Sequence, residues 1–218
     1  MQAITDPYAP PAPPGHKELP ETDGRPMINS QEHPQSEALT DSLEPILVRL
    51  YGREGFFIGA DTGIYWRHTD PPLRGCKAPD WFVVPGVPPL LEGELRRSYV
   101  LWREGVRPVL AVEYVSGDGA EEHDATPQEG KFWVYERGIG IPFYFIFDGF
   151  HGTLEGWQLV AGRYVRMEPN RHGRYAVPEW RIELGLWQGT YRRLEACWVR
   201  VWDAGTGELI PLSAERAA

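Results

Sequence analysis

Three apolar runs mark the middle of the chain, at residues 79–85, 108–115 and 142–147. Each is dense in β-branched and aromatic side chains and long enough for one buried strand. Upstream, Leu43, Ile46, Leu47 and Leu50 recur at helical spacing. They predict a helix starting near Asp41 or Ser42, with Pro45 tolerated in its first turn. Residues 56–59 and 63–66 flank Asp61-Thr62 and read as a hairpin. Between the last two central strands, Thr126, Pro127 and Glu129 have the order of an N-cap, N1 and N3 capping box. That helix is expected to run to about Arg137 and stop at Gly138. Beyond it, residues 154–160 and 163–167 pair around Ala161-Gly162, and residues 198–202 and 208–211 pair around a Gly-Thr-Gly turn. The order of helix, strands, one strand–helix–strand unit and hairpins predicts an α+β or α/β domain around a central mixed sheet. No repeat of about 20–50 residues is visible.

Composition sharpens this picture. Eight of the 21 prolines lie in the first 34 residues, so residues 1–36 read as an extended or disordered tail, 37–212 as the folded domain and 213–218 as a C-terminal tail. The 218 residues carry a net charge of −9, and the first 36 hold five acids against two bases, so most of the acidity belongs to the body. Such a balance argues against a general nucleic-acid coat, which needs many phosphate-neutralising cations, but leaves room for a local basic groove. Cys76 and Cys197 stand far apart without ligand partners, the pattern of thiols in a reducing cytoplasm. No run approaches the ~18 apolar residues of a membrane span, and a cytoplasmic, non-membrane protein is expected.

The candidate chemistry sits on the central runs. Asp80 stands at the entrance to one, and Glu113 is the one charged residue inside another. An acid in an apolar strand costs several kcal/mol unless it is paired or metal-bound. Two acids on neighbouring buried strands ask for a compensating cation. Lys131, near the start of the predicted helix, would sit poorly with the helix dipole and is free either to reach solvent or to aim at the acids. Asp118 and Asp124, in the glycine- and acid-rich loop 116–124, are candidate supporting ligands beside Asp61 and Tyr135, and His123 is a candidate substrate contact. Arg97 and Arg103, interleaved with Tyr99 and Trp102, are candidate phosphate-binding residues. There is no GxGxxG opening a helix, no GxxxxGK[ST], no HExxH and no GxSxG.

Taken in order, residues 78–87 around Pro79-Asp80-Trp81, residues 97–102, residues 112–116 around Val112-Glu113-Tyr114, residues 130–136 from Gly130-Lys131 and residues 142–148 resemble the Uma-two family. These are restriction-endonuclease-like proteins of the PD-(D/E)XK nuclease superfamily. The resemblance spans about residues 40 to 212 and implies a restriction-endonuclease-like core, a mixed sheet flanked by helices, with C-terminal hairpins added. It implies Mg²⁺ or Mn²⁺ held by Asp80 and Glu113, DNA as substrate, and a homodimer for cutting two strands. The motif lysine expected two residues after Glu113 is replaced by Val115, and the resemblance gives its place to Lys131. The expected activity is metal-dependent DNA endonuclease action. The alternatives are a non-catalytic nuclease-fold scaffold and a small-molecule phosphodiesterase.

Overall fold

The computed structural model describes residues 13–20 and 30–216, so parts of the expected tail (1–12 and 21–29) and residues 217–218 lie outside the described residues. The central runs form strands Trp81–Pro85, Leu110–Tyr114 and Phe143–Asp148 in a six-stranded sheet. Across that sheet the order is Phe56–Ala60, Trp81–Pro85, Leu110–Tyr114, Phe143–Asp148, Thr153–Val160 and Arg163–Arg166. All neighbours are antiparallel except Leu110–Tyr114 and Phe143–Asp148, which run parallel with Glu113 beside Ile146. The sheet is therefore mixed, and its parallel pair is the strand–helix–strand unit.

Side-chain alternation divides the sheet into two apolar layers. Trp81, Val83, Leu110, Val112, Phe143 and Phe145 face the helix Glu32–Tyr51 and the second sheet of Arg174–Val177, Ile182–Tyr191 and Leu194–Asp203. Phe82, Val84, Ala111, Tyr144 and Ile146 face the other way, onto Val134, Tyr135 and Ile139. Asp80 and Glu113 have the parity of this second layer.

Several local expectations are corrected. The first helix begins at Glu32, well before Asp41, and Pro45 lies in its interior. Tertiary anchoring upstream accounts for the earlier start: Gln35 is fully buried and exchanges two 2.9 Å hydrogen bonds with the Val199 backbone. Leu43, Ile46 and Leu47 are buried as the spacing predicts, whereas Leu50 is largely exposed. Within the expected tail, residues 13–20 pack on the body, with Leu19 and His16 buried.

Phe56–Ala60 does not pair with Ile64–Tyr65. Its hydrogen-bonding edge is taken by Trp81–Pro85, while Ile64–Tyr65 joins Cys76–Lys77 and, in parallel, Tyr99–Val100. Residues 194–203 pair chiefly with 182–191, and only a bridge from Trp202 to Leu209 represents the expected second hairpin. The hairpin around Ala161-Gly162 forms as expected, both residues taking positive φ. Residues 213–216 add one short helical turn.

Candidate functional site

The register Trp81↔Val112 and Phe82↔Ala111, continued by one pair, sets Asp80 opposite Glu113. Glu113 is fully buried. The helix that crosses this face starts at Lys131, not at Thr126. Residues 126–130 form a turn in which Gly130 N–H donates to the Thr126 carbonyl, and Gln128 has positive φ. The acid that organises the entry is Asp124, whose side chain accepts from the Thr126 N–H and whose carbonyl accepts from Phe132 N–H. Thr126 makes no capping box because Glu129 falls inside this turn rather than in a helix.

After one α-turn, residues Val134–Ile139 wind as a π-helix and end at Gly140, in the left-handed conformation. Gly138 is therefore not the stop. A Cβ there would sit 2.9 Å from the Trp66 ring, so its small size seats that indole. Wide turns of this kind recur at functional sites, and this one carries Tyr135.

Lys131 Nζ donates to Glu113 Oε2 at 2.8 Å, and the Tyr135 hydroxyl donates to Glu113 Oε1 at 2.5 Å. The same ammonium lies 3.3 Å from Glu121 and 3.8 Å from Glu122. Tyr114 N–H donates to Asp80 Oδ2 at 2.5 Å. Desolvation, then the charge of Glu113 and a hydrogen bond with it, push the Asp80 carboxyl well above its ordinary range, against the pull of Tyr114 N–H and Lys131. Two like charges in one site oppose each other's ionisation, and at Asp80 this adds to burial. Burial would lower the Lys131 ammonium, but Glu113 first, then Asp80 and Glu122, outweigh it and leave its pKa raised. Tyr135 is raised far above the phenol range by burial and Glu113, so it stays protonated and donates.

The structure brings Asp80, Glu113, Lys131 and Tyr135 together. It sets the other candidates elsewhere. Asp61 is exposed, and its backbone N–H donates to the Asp80 carbonyl. Asp118 caps the Ala120 N–H, and Asp124, its pKa lowered by bonds from Thr126, serves its own turn. His123 bonds the Gly119 carbonyl and Glu155. Arg97 and Arg103 lie against residues 13–17, with Arg103 donating to the Pro13 carbonyl and Arg97 to the Lys17 carbonyl.

Glu121 and Glu122 are additions that the sequence did not single out. Glu122 is fully buried, accepts from Ser116, and leaves Oε2 without a hydrogen-bond partner among the described residues. The signal was faint, two adjacent acids in an acidic loop. Only the packing of that loop over Lys131 distinguishes them.

A divalent hard cation asks for one or two carboxylates and fills its remaining positions with water and substrate phosphate. Asp80 and Glu113 meet that minimum, and a cation binding there would displace any proton the pair holds. Among the described residues no three or more His, Cys, Asp or Glu are grouped as a metal cage.

A mixed sheet with helical packing on each of its faces defines an α+β protein. The chain belongs to the Uma2 family, described as "Putative restriction endonuclease", whose model matches residues 12–195. Among solved structures it is similar to a protein from Anabaena variabilis described as "a putative nuclease belonging to DUF820". The two share 16% identity and a TM-score of 0.49, covering 75% of this chain and 87% of that one. A search of curated proteins finds no match. Among the described residues no helix is long and apolar enough to cross a membrane.

Proposed function

We propose that the protein is a divalent-metal-dependent endonuclease that hydrolyses DNA phosphodiester bonds at the Asp80–Glu113–Lys131 site. The observation that carries this reading is the 2.8 Å contact between Lys131 and Glu113, with Asp80 opposite. It fills the place that Val115 leaves empty in the family pattern. Asp80 and Glu113 would hold Mg²⁺ or Mn²⁺, which supplies phosphate polarisation and a lowered pKa for bound water. Lys131 would orient the attacking water and offset charge building on the phosphate. Tyr135 fixes the Glu113 carboxylate by donating to it. All four side chains come from one chain, so the acid–lysine arrangement is complete without a second copy.

The test is cleavage of plasmid and linear duplex DNA with Mg²⁺ or Mn²⁺ against a chelator control. Asp80→Asn and Glu113→Gln should each reduce cleavage at least ~100-fold, and Lys131→Ala should lose cleavage while still showing metal-induced thermal stabilisation. Wild-type levels of cleavage in Asp80→Asn or Glu113→Gln would remove the assignment. A wild-type chain that binds neither metal nor cuts DNA would leave the scaffold reading in its place.

A further inference from the structure

Strands Ile64–Tyr65 and Tyr99–Val100 pair in parallel, with Tyr65 beside Val100. Each strand leads into a Trp-Arg dipeptide, Trp66-Arg67 from one and, after Leu101, Trp102-Arg103 from the other. Together with Pro13 and His68 these four residues line an open cleft of about 390 Å³. Its lining holds no carboxylate, in a chain of net charge −9. The larger cleft, of about 530 Å³, differs in this respect, being lined by Glu18, Glu92 and Glu104 as well as by cations.

The cleft adjoins the segment that delivers Lys131. Arg67 donates to the Gln128 side chain and, at 3.1 Å, to the Gln128 carbonyl. The Trp66 ring lies 6.0 Å from that of Trp133. Arg67 covers one face of Trp66 at 4.5 Å, and His68 meets Trp102 edge-on at 6.2 Å. Among the described residues the two indole N–H groups and Arg67 Nε are shielded from water and have no hydrogen-bond partner. Unpaired donors of this kind are a cost that an acceptor-bearing ligand removes once the rings turn toward it.

Indole faces call for a flat ring, the arginines and histidine call for an anion, and the volume is that of a small ligand rather than of a duplex groove. We infer that this cleft is a subsite for one unpaired nucleotide of a nucleic acid chain. Its base stacks on indole and its phosphate meets Arg103 and Arg67. The substrate class this implies is nucleic acid with a splayed or single-stranded nucleotide beside the scissile bond. The inference rests on the nuclease reading for that last clause alone.

The experiment is calorimetric titration of the full chain, without divalent metal, using deoxyadenosine 5′-monophosphate. Inorganic phosphate and deoxyadenosine are the comparison probes. Saturable binding of the nucleotide is expected, tighter than either comparison. Trp102→Ala should weaken it ~10-fold or more, and the exposed Arg103→Gln by ~3–10-fold, with salt sensitivity. Each variant's thermal melting confirms that it is folded. Trp102→Phe, which keeps a ring and deletes the N–H, serves if Trp102→Ala fails to fold, and it should weaken binding less.

The proposal is overturned by absence of saturable binding up to about 5 mM, or by unchanged affinity in both the tryptophan and the arginine variants. Phosphate binding as tightly as the nucleotide would overturn it as well. DNA cleavage is read separately. A chain that binds the nucleotide with these sensitivities but does not cut DNA refutes the endonuclease proposal and keeps the cleft.

Discussion

Lys131 is a cation set among four acids, and its removal should cost more than the removal of the acid it touches. Its ammonium lies 2.8 Å from Glu113, 3.3 Å from Glu121 and 3.8 Å from Glu122, and Glu113 is itself opposite Asp80. Lys131→Met keeps most of the buried stem but leaves Glu113 as a charge with no cation in a dry layer. Breaking a buried pair from one side costs about 3–5 kcal/mol. Because the lysine side chain retains 10% exposure, the low end, about 3 kcal/mol, is expected. Glu113→Gln differs in kind. It forfeits one charge-assisted hydrogen bond, but Lys131 keeps Glu121 and Glu122, and the repulsion on Asp80 is relieved. A cost of about 1–2 kcal/mol follows. The double variant should be more stable than Lys131→Met alone, since the stranded charge is gone, which requires a coupling larger than the Glu113→Gln cost, about 2–3 kcal/mol. Urea unfolding at pH 7.5 without divalent metal, read at constant slope, gives all four corners of the cycle. A Lys131→Met variant within about 0.5 kcal/mol of wild type, or one less destabilised than Glu113→Gln, would show that the ammonium is not what keeps the acids together.

Two further outcomes follow from the same geometry. The Asp80 carboxyl titrates well above 3.8 in the folded chain, so the folded state holds this proton more tightly than the unfolded one. Its stabilising contribution is complete below about 3.8 and is lost as pH rises through the raised folded value. Asp80→Asn, which keeps an acceptor for Tyr114 N–H, should therefore gain stability over wild type as pH rises from about 4.5 to 7.5. A gain of about 1–2 kcal/mol at the upper end is expected by thermal melting; an advantage that shrinks with pH would contradict it. Gln35→Leu preserves volume but strands the Val199 N–H and carbonyl, each bonded at 2.9 Å. A loss of about 2–4 kcal/mol is expected, and a change under about 0.5 kcal/mol would mean that the helix is not anchored there.

What could be read in the chain and what could not divide along one physical line. The three central strands were legible because their apolar runs are local and long, and strand parity alone groups Asp80 with Phe82 and Val84 on one side of their strand and Ala111 with Glu113 on one side of theirs. Partners were not legible where several segments competed for one surface. Phe56–Ala60 is close to Ile64–Tyr65 in sequence but gives its edge to Trp81–Pro85, whose apolar residues bury more, and short-range turn chemistry at Asp61-Thr62 could not show that. The capping-box pattern at Thr126 failed for a related reason. The Asp124 carboxylate takes the Thr126 N–H that the box assigns to Glu129, and its carbonyl takes the Phe132 N–H, so the helix starts at Lys131.

That shift decides the site. A helix begun at Thr126 would have carried Lys131 on its second turn, where the dipole disfavours a cation. Begun at Gly130, it has Lys131 as its first residue, a position no better on dipole grounds. The ammonium is held there by acids from outside the helix, Glu113 on the sheet and Glu121 and Glu122 from the loop above. Val115, two residues beyond Glu113, has the same strand parity and is partly buried among the apolar side chains of that layer. The charge that a lysine at 115 would have brought along the strand arrives instead across the sheet face, from the helix. The acid pair and its cation are therefore specified by the packing of the helix onto the sheet, and a substitution that loosens that packing should release the lysine before it unfolds the strands.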